Sequence, residues 1–74
     1  MYLIMWTNDD DIGLYHDPRQ YTVARHRTRA HRILTNLVDG MTDNRAAEAL
    51  DMAEESASCK GRTDGATWEV VYRF

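Results

Sequence analysis

The sequence predicts a small two-layer α+β domain, an antiparallel or mixed β-sheet made from the N-terminal and C-terminal strands and packed against a two-helix hairpin. Three observations carry this expectation. Tyr2–Thr7 and Thr67–Phe74 are rich in aromatic and β-branched residues, which suit a pleated, half-buried surface. Ala30, Ile33, Leu34, Leu37, Val38 and Met41 recur at the spacing of one helix face. A second stripe, Ala46, Ala49, Leu50, Ala53 and Ala57, follows at the same period, and two layers of this kind bury each other's apolar faces.

The expected order is two or three strands, two helices and a closing strand. The first strand ends at Asn8-Asp9-Asp10-Asp11, whose short polar side chains favour a turn. Residues 12–26 read as strand, with Ile12, Leu14, Tyr21 and Val23 alternating on either side of a turn at Asp17-Pro18. A competing reading makes Asp17 a helix cap, Pro18 the first helical residue and Gln20 the returning partner of a capping box. Strand is preferred, because a backward extension of the helical stripe places Arg27 and His26 on its apolar face.

The first helix is expected to start behind Thr28 and stop at Gly40, and the second to start behind Thr42 or Asp43. Ser58–Gly65 holds two glycines and almost no apolar residue, the composition of a loop. In the closing strand Trp68, Val70, Tyr72 and Phe74 share one face.

Seventy-four residues suffice for a single compact domain, 1–74. A domain of this size buries only about 60% of the surface its unfolded chain exposes. At 43% hydrophobic residues the chain belongs with folded proteins. A lone cysteine, Cys59, forms no internal disulfide, which points to a reducing compartment. The start, Met-Tyr-Leu-Ile-Met-Trp, offers neither a positive leader nor an apolar run long enough for a membrane, so the expected location is the cytoplasm.

Little in the chain suggests catalysis. It has no glycine-rich phosphate loop, nucleophile elbow or paired-cysteine metal motif, and the expectation is a non-enzymatic protein with no cofactor and no metal. Cys59 has Lys60 and Arg62 nearby to favour a thiolate, but no histidine beside it in sequence, and it reads as an incidental thiol. Of His16, His26 and His31, the last two are five residues apart, whereas a zinc pair on one helix face is spaced by three or four. Asp9-Asp10-Asp11 superficially resembles a calcium loop. Counted from Asp9, however, Leu14 stands at the glycine position and Gln20 at the position of the bidentate glutamate. A solvated turn is the better reading, and its carboxylates are also placed to meet a basic patch on a partner.

The arginines are the most informative feature. The net charge is −3, yet Arg19, Arg25, Arg27, Arg29 and Arg32 fall close together, apart from the acidic turn and the acidic stretch Glu48–Glu55. The candidate partner-binding residues are therefore Arg25, Arg27, Arg29 and Arg32, with Asp9, Asp10 and Asp11. A structural explanation competes for two of them. Arg29 and Arg32 sit in the first turns of one helix and Glu54 and Glu55 in the last turns of the other, both disfavoured by the helix dipole. An antiparallel hairpin lets these four side chains pair, at about 0.2–1 kcal/mol for each exposed pair. Arg25 and Arg27 are left without a structural role by that scheme.

The functional expectation is a non-catalytic binding protein, an inhibitor or adaptor that occupies a surface on a larger protein or ribonucleoprotein complex. In size and lack of catalytic motifs the chain is similar in style to phage-encoded inhibitors of host machinery, such as anti-CRISPR proteins and polymerase inhibitors. That likeness assigns no residue a role. The alternative is a nucleic-acid-binding or regulatory protein that uses Arg25–Arg32 on phosphates, with Tyr21 as a stacking surface. A homodimer is compatible with either. The aromatic residues exceed what so small a core encloses, which marks Tyr15 and Phe74 as candidates for a partner surface.

Overall fold

The computed structural model describes residues 1–9 and 20–74. Its elements are β1 (Tyr2–Asn8), β2 (Gln20–Ala24), α1 (Arg27–Leu37), α2 (Asp43–Ser56), β3 (Ser58–Thr63) and β4 (Ala66–Tyr72). The expectations for Asp10, Asp11, Ile12, Leu14, Tyr15, His16, Asp17-Pro18 and Arg19 lie outside the described residues.

The strands form one four-stranded sheet in the order β2-β1-β4-β3, and every neighbouring pair is antiparallel. The α+β layering is as expected from the sequence. Strand alternation sends Tyr2, Ile4 and Trp6 of β1 to the helix side, and the register places Tyr72, Val70 and Trp68 of β4 directly beside them. The helices and the segment between them supply the other half of the core, Ala30, Ile33 and Leu34 from α1, Val38 and Met41 from the link, and Ala46, Ala49, Leu50 and Ala53 from α2. Burying a side chain such as Leu34 or Leu50 contributes about 1.5–3 kcal/mol. α1 packs over β1 and β2, and α2 over β3 and β4.

Helix ends depart from the expectation in three places, the first being that α1 stops at Leu37 with Val38 as its C-cap and does not run on to Gly40. α1 begins at Arg27, with His26 in extended conformation as its N-cap, so Thr28 lies inside the helix and caps nothing. Ala57 is not part of the buried stripe of α2. It is exposed and takes the left-handed conformation that ends the helix, at φ 74°. The start of α2 follows expectation, since Thr42 accepts a hydrogen bond from the Arg45 backbone N–H at 3.1 Å.

The larger difference is β3, a strand where composition suggested a loop. Gly61 lies opposite Trp68 in the β3–β4 ladder, and a Cβ at Gly61 would stand 2.9 Å from the indole Cζ2. Glycine here makes room for an aromatic ring, one of the reasons a strand interior tolerates it. Asp64-Gly65 then turns the chain between Thr63 and Ala66, the two-residue hairpin connection that an Asp-Gly pair commonly marks.

The link between the helices docks on that turn. Thr63 Oγ1 donates to the Asp39 carbonyl at 2.6 Å, and Asp9 N–H donates to the Gly65 carbonyl at 2.7 Å. Asn8 works from β1 on both sides of the helix end. Its Nδ2 donates to the Leu37 carbonyl at 3.0 Å, and its Oδ1 accepts from Asp39 N–H at 3.0 Å.

Candidate binding surfaces

The arginine cluster divides into residues engaged inside the fold and residues directed away from it. Arg27, the first residue of α1, lies on the side of the helix that faces α2. Its Nη1 stands 2.8 Å from Asp51 and 2.9 Å from Glu54, and its Nη2 donates to the Ala47 carbonyl at 3.2 Å. Tyr2 reaches the same carboxylate from β1, its hydroxyl donating to Glu54 Oε2 at 2.6 Å. Burial and then this hydrogen bond push the Tyr2 phenol up to about 12. The Tyr2 hydrogen bond, followed by Arg27, holds the Glu54 carboxyl below its ordinary value against the opposing effect of burial.

The pairing expected of Arg29 and Arg32 with Glu54 and Glu55 does not form; Arg27 takes that position. The principle behind the expectation holds, because the start of α1 does lie against the end of α2. The register differs, since α1 starts at Arg27 and a long arginine stem can lie along an apolar interface with its head at a carboxylate. His31, one turn further on, meets Asp43 at 3.0 Å.

Arg29 lies about half a turn from Arg27 and His31, which directs it away from α2. Arg32 lies near it on the outer side of α1, and Arg25 stands just after β2. All three are exposed, and none makes an ion pair among the described residues. Because α1 covers the β1–β2 half of the sheet, this basic flank borders the β2 side of the molecule. The helix beneath it has no side-chain cap and no acidic residue in its first turn, so the orphan N–H groups of α1 add to the positive potential.

Asp9 is engaged within the fold, its Oδ2 on Arg62 Nη2 at 2.5 Å. Asp10 and Asp11 lie outside the described residues. Cys59 sits half-buried on the helix side of β3 beside the core. Lys60 and Arg62 belong to the opposite row of that strand, so neither is on the face of the sheet that Cys59 uses.

The sheet face turned away from the helices carries Leu3 and Met5 of β1, Val71 of β4, and Tyr21 and Val23 of β2. Tyr21 is 72% exposed and Val23 46%. A shallow recess of about 390 Å³ on this face is bordered by Met5, Thr7, Lys60 and Glu69. Lys60 and Glu69 are direct cross-strand neighbours there, a pairing that supports a sheet surface.

No group of three His, Cys, Asp or Glu side chains is arranged to hold a metal ion among the described residues. No helix among them is long and apolar enough to cross a membrane. Compared with protein-family models, with curated proteins and with solved structures, the chain matches none.

Two contacts that organise these surfaces carry no local sequence signal. Tyr2–Glu54 joins residues 52 apart, and Arg62–Asp9 residues 53 apart. Only the sheet register brings them together.

Proposed function

We propose that the chain is a non-catalytic binding protein of the cytoplasm. In this reading it seats Arg25, Arg29 and Arg32 on an acidic or phosphate-bearing surface of a larger macromolecular complex, as an inhibitor or adaptor. The observation that carries this is the split within the cluster: Arg27 is committed to Asp51 and Glu54, whereas its three neighbours are exposed and lack an internal counter-charge among the described residues. Basic side chains beside an uncapped helix N-terminus repel that end's partial positive charge, at about 0.3–1 kcal/mol for a well-placed charge. A partner's anions reverse the sign of that interaction. Exposed Tyr21 and Val23 adjoin Arg25 in sequence, and an aromatic residue with arginines is a common anchor set at protein interfaces.

The test is affinity capture from a nuclease-treated cytoplasmic lysate, with tagged wild type and the triple variant Arg25→Ala, Arg29→Ala, Arg32→Ala side by side. The reading expects a defined protein complex on the wild type that is absent from the variant.

The exposure of Tyr21 favours a second reading, binding to single-stranded nucleic acid by stacking on that ring. This reading expects capture of nucleic acid before nuclease treatment. It also expects log affinity to fall by about 0.7 per decade of salt for each phosphate contacted.

A further inference from the structure

The sheet ends in two edge strands, and they are built differently. β3 carries Lys60 and Arg62, the latter held by Asp9, and charged side chains on an edge are a common guard against strand pairing. β2 has no strand on its outer side among the described residues, and its sequence, Gln-Tyr-Thr-Val-Ala, includes no charge and no proline. Antiparallel geometry turns the backbone N–H and C=O groups of alternate β2 residues away from β1. Beside that row, Tyr21 and Val23 stand exposed on the outer sheet face.

The charge next to this edge has one sign. From Gln20 to Val38 the sequence has no acidic residue and carries Arg25, Arg27, Arg29 and Arg32. The two carboxylates that reach the start of α1, Asp51 and Glu54, belong to α2 and are held by Arg27. Because α1 lies over β1 and β2, its side away from α2, where Arg29 projects, is the side that overhangs β2. Arg25 directly follows the strand, and the uncapped N–H groups of α1 open at the same end.

We propose that β2 is the docking edge for an acidic extended segment of a partner protein, which adds a strand to the sheet. The proposal deepens the reading of Arg25, Arg29 and Arg32 as an anion-facing surface and rests on it. Backbone hydrogen bonds to β2 supply affinity, and the side chains of alternate residues supply selection. On the outer face the added strand meets Tyr21 and Val23, which suits apolar residues. On the helix side it lies beneath Arg29 and beside the start of α1, which suits aspartate or glutamate. The occupant is therefore a segment that alternates acidic with apolar residues. A second copy of β2 fits less well, because it would bring two sets of Arg25, Arg29 and Arg32 together.

The test is a ¹H–¹⁵N NMR titration of the full chain with a short blocked peptide that alternates glutamate with valine. The controls are its glutamine–valine and lysine–valine counterparts, and a version N-methylated at every backbone nitrogen, which keeps the side chains and removes the donors. The expected result is a saturable response of the Tyr21, Thr22, Val23 and Ala24 amides with slowed hydrogen exchange along β2. It weakens with the glutamine peptide and is absent with the lysine and N-methylated ones. Arg25→Ala and Arg29→Ala each weaken the glutamate peptide about two- to five-fold, the size of one exposed ion pair, and leave the glutamine peptide unchanged. Both variants replace exposed side chains, and an unchanged melting temperature verifies that they fold. Equal binding of the N-methylated peptide and its parent would overturn the edge and leave the anion-facing reading in place. A glutamate peptide that binds no better than the lysine one would sink both. No response to any peptide would also overturn the proposal, while capture by the triple arginine variant still decides the underlying reading. β2 amides that respond only to raised protein concentration, or only to a single-stranded oligonucleotide, would replace the acidic strand with a second copy or with nucleic acid.

Discussion

Tyr2 and Glu54 are 52 residues apart, and the 2.6 Å hydrogen bond from the phenol to the carboxylate ties the first strand to the last turn of the second helix. Arg27 closes the arrangement from the first helix, so one carboxylate gathers three elements. The network is structural. It accounts for one arginine of the cluster and leaves Arg25, Arg29 and Arg32 without an ion pair among the described residues.

Tyr2→Phe keeps the buried ring and removes the donor. The expected loss is about 1 kcal/mol, less than the upper range for hydrogen bonds to charged groups because Glu54 retains Arg27. Urea denaturation measures it, with an unchanged m-value showing that the fold is intact.

The same pair predicts how stability varies with pH. Glu54 is held below its ordinary carboxyl value in the folded state, so its contribution is present above the unfolded-state value and is lost as pH falls through the folded one. Tyr2 is raised to about 12, so its contribution is complete below the unfolded value of 10.0 and is lost as pH rises toward 12. Denaturation midpoints across both windows should fall at each end, and Tyr2→Phe should flatten the alkaline limb.

Arg27→Ala should cost about 1 kcal/mol, because a half-exposed arginine loses two carboxylates and a backbone acceptor together. For a domain of this size that lowers the melting temperature by roughly 4–8 °C. Arg29→Ala and Arg32→Ala should each stay within about 0.5 kcal/mol of wild type, as exposed substitutions generally do. Equal losses in all three would remove the division of the cluster.

Gly40→Ala should cost more than about 1 kcal/mol. Gly40 has φ +75°, and a Cβ there would run into the backbone carbonyl of Asp64, which cannot rotate aside as a side chain can. Thermal melting checks this, and loss of the Asp9–Gly65 amide protection would show the docked loops separating.

The two helices and the two central strands were legible because burial imposes a period on Ala30–Met41, Ala46–Ala53, Tyr2–Thr7 and Thr67–Tyr72. Ser58–Thr63 was not legible by composition. As an edge strand facing water it needs few apolar residues, and its glycine answers to Trp68 on the next strand. The Asp64-Gly65 turn was the local signal that marked it. Of the candidate site, Arg25 was readable as an arginine without an internal partner, but the division among Arg27, Arg29 and Arg32 was not. Choosing Arg27 over Arg29 as the partner of Glu54 required the first residue of α1, which His26 sets by remaining extended without a side-chain cap.

The most direct test of the central claim compares Arg27→Ala with the Arg25→Ala/Arg29→Ala/Arg32→Ala variant in two measurements on each, thermal stability and affinity capture from nuclease-treated lysate. Arg27→Ala should melt earlier yet capture the same complex as wild type while folded, and the triple variant should melt like wild type and capture nothing specific. A triple variant that captures the wild-type complex undiminished would contradict it.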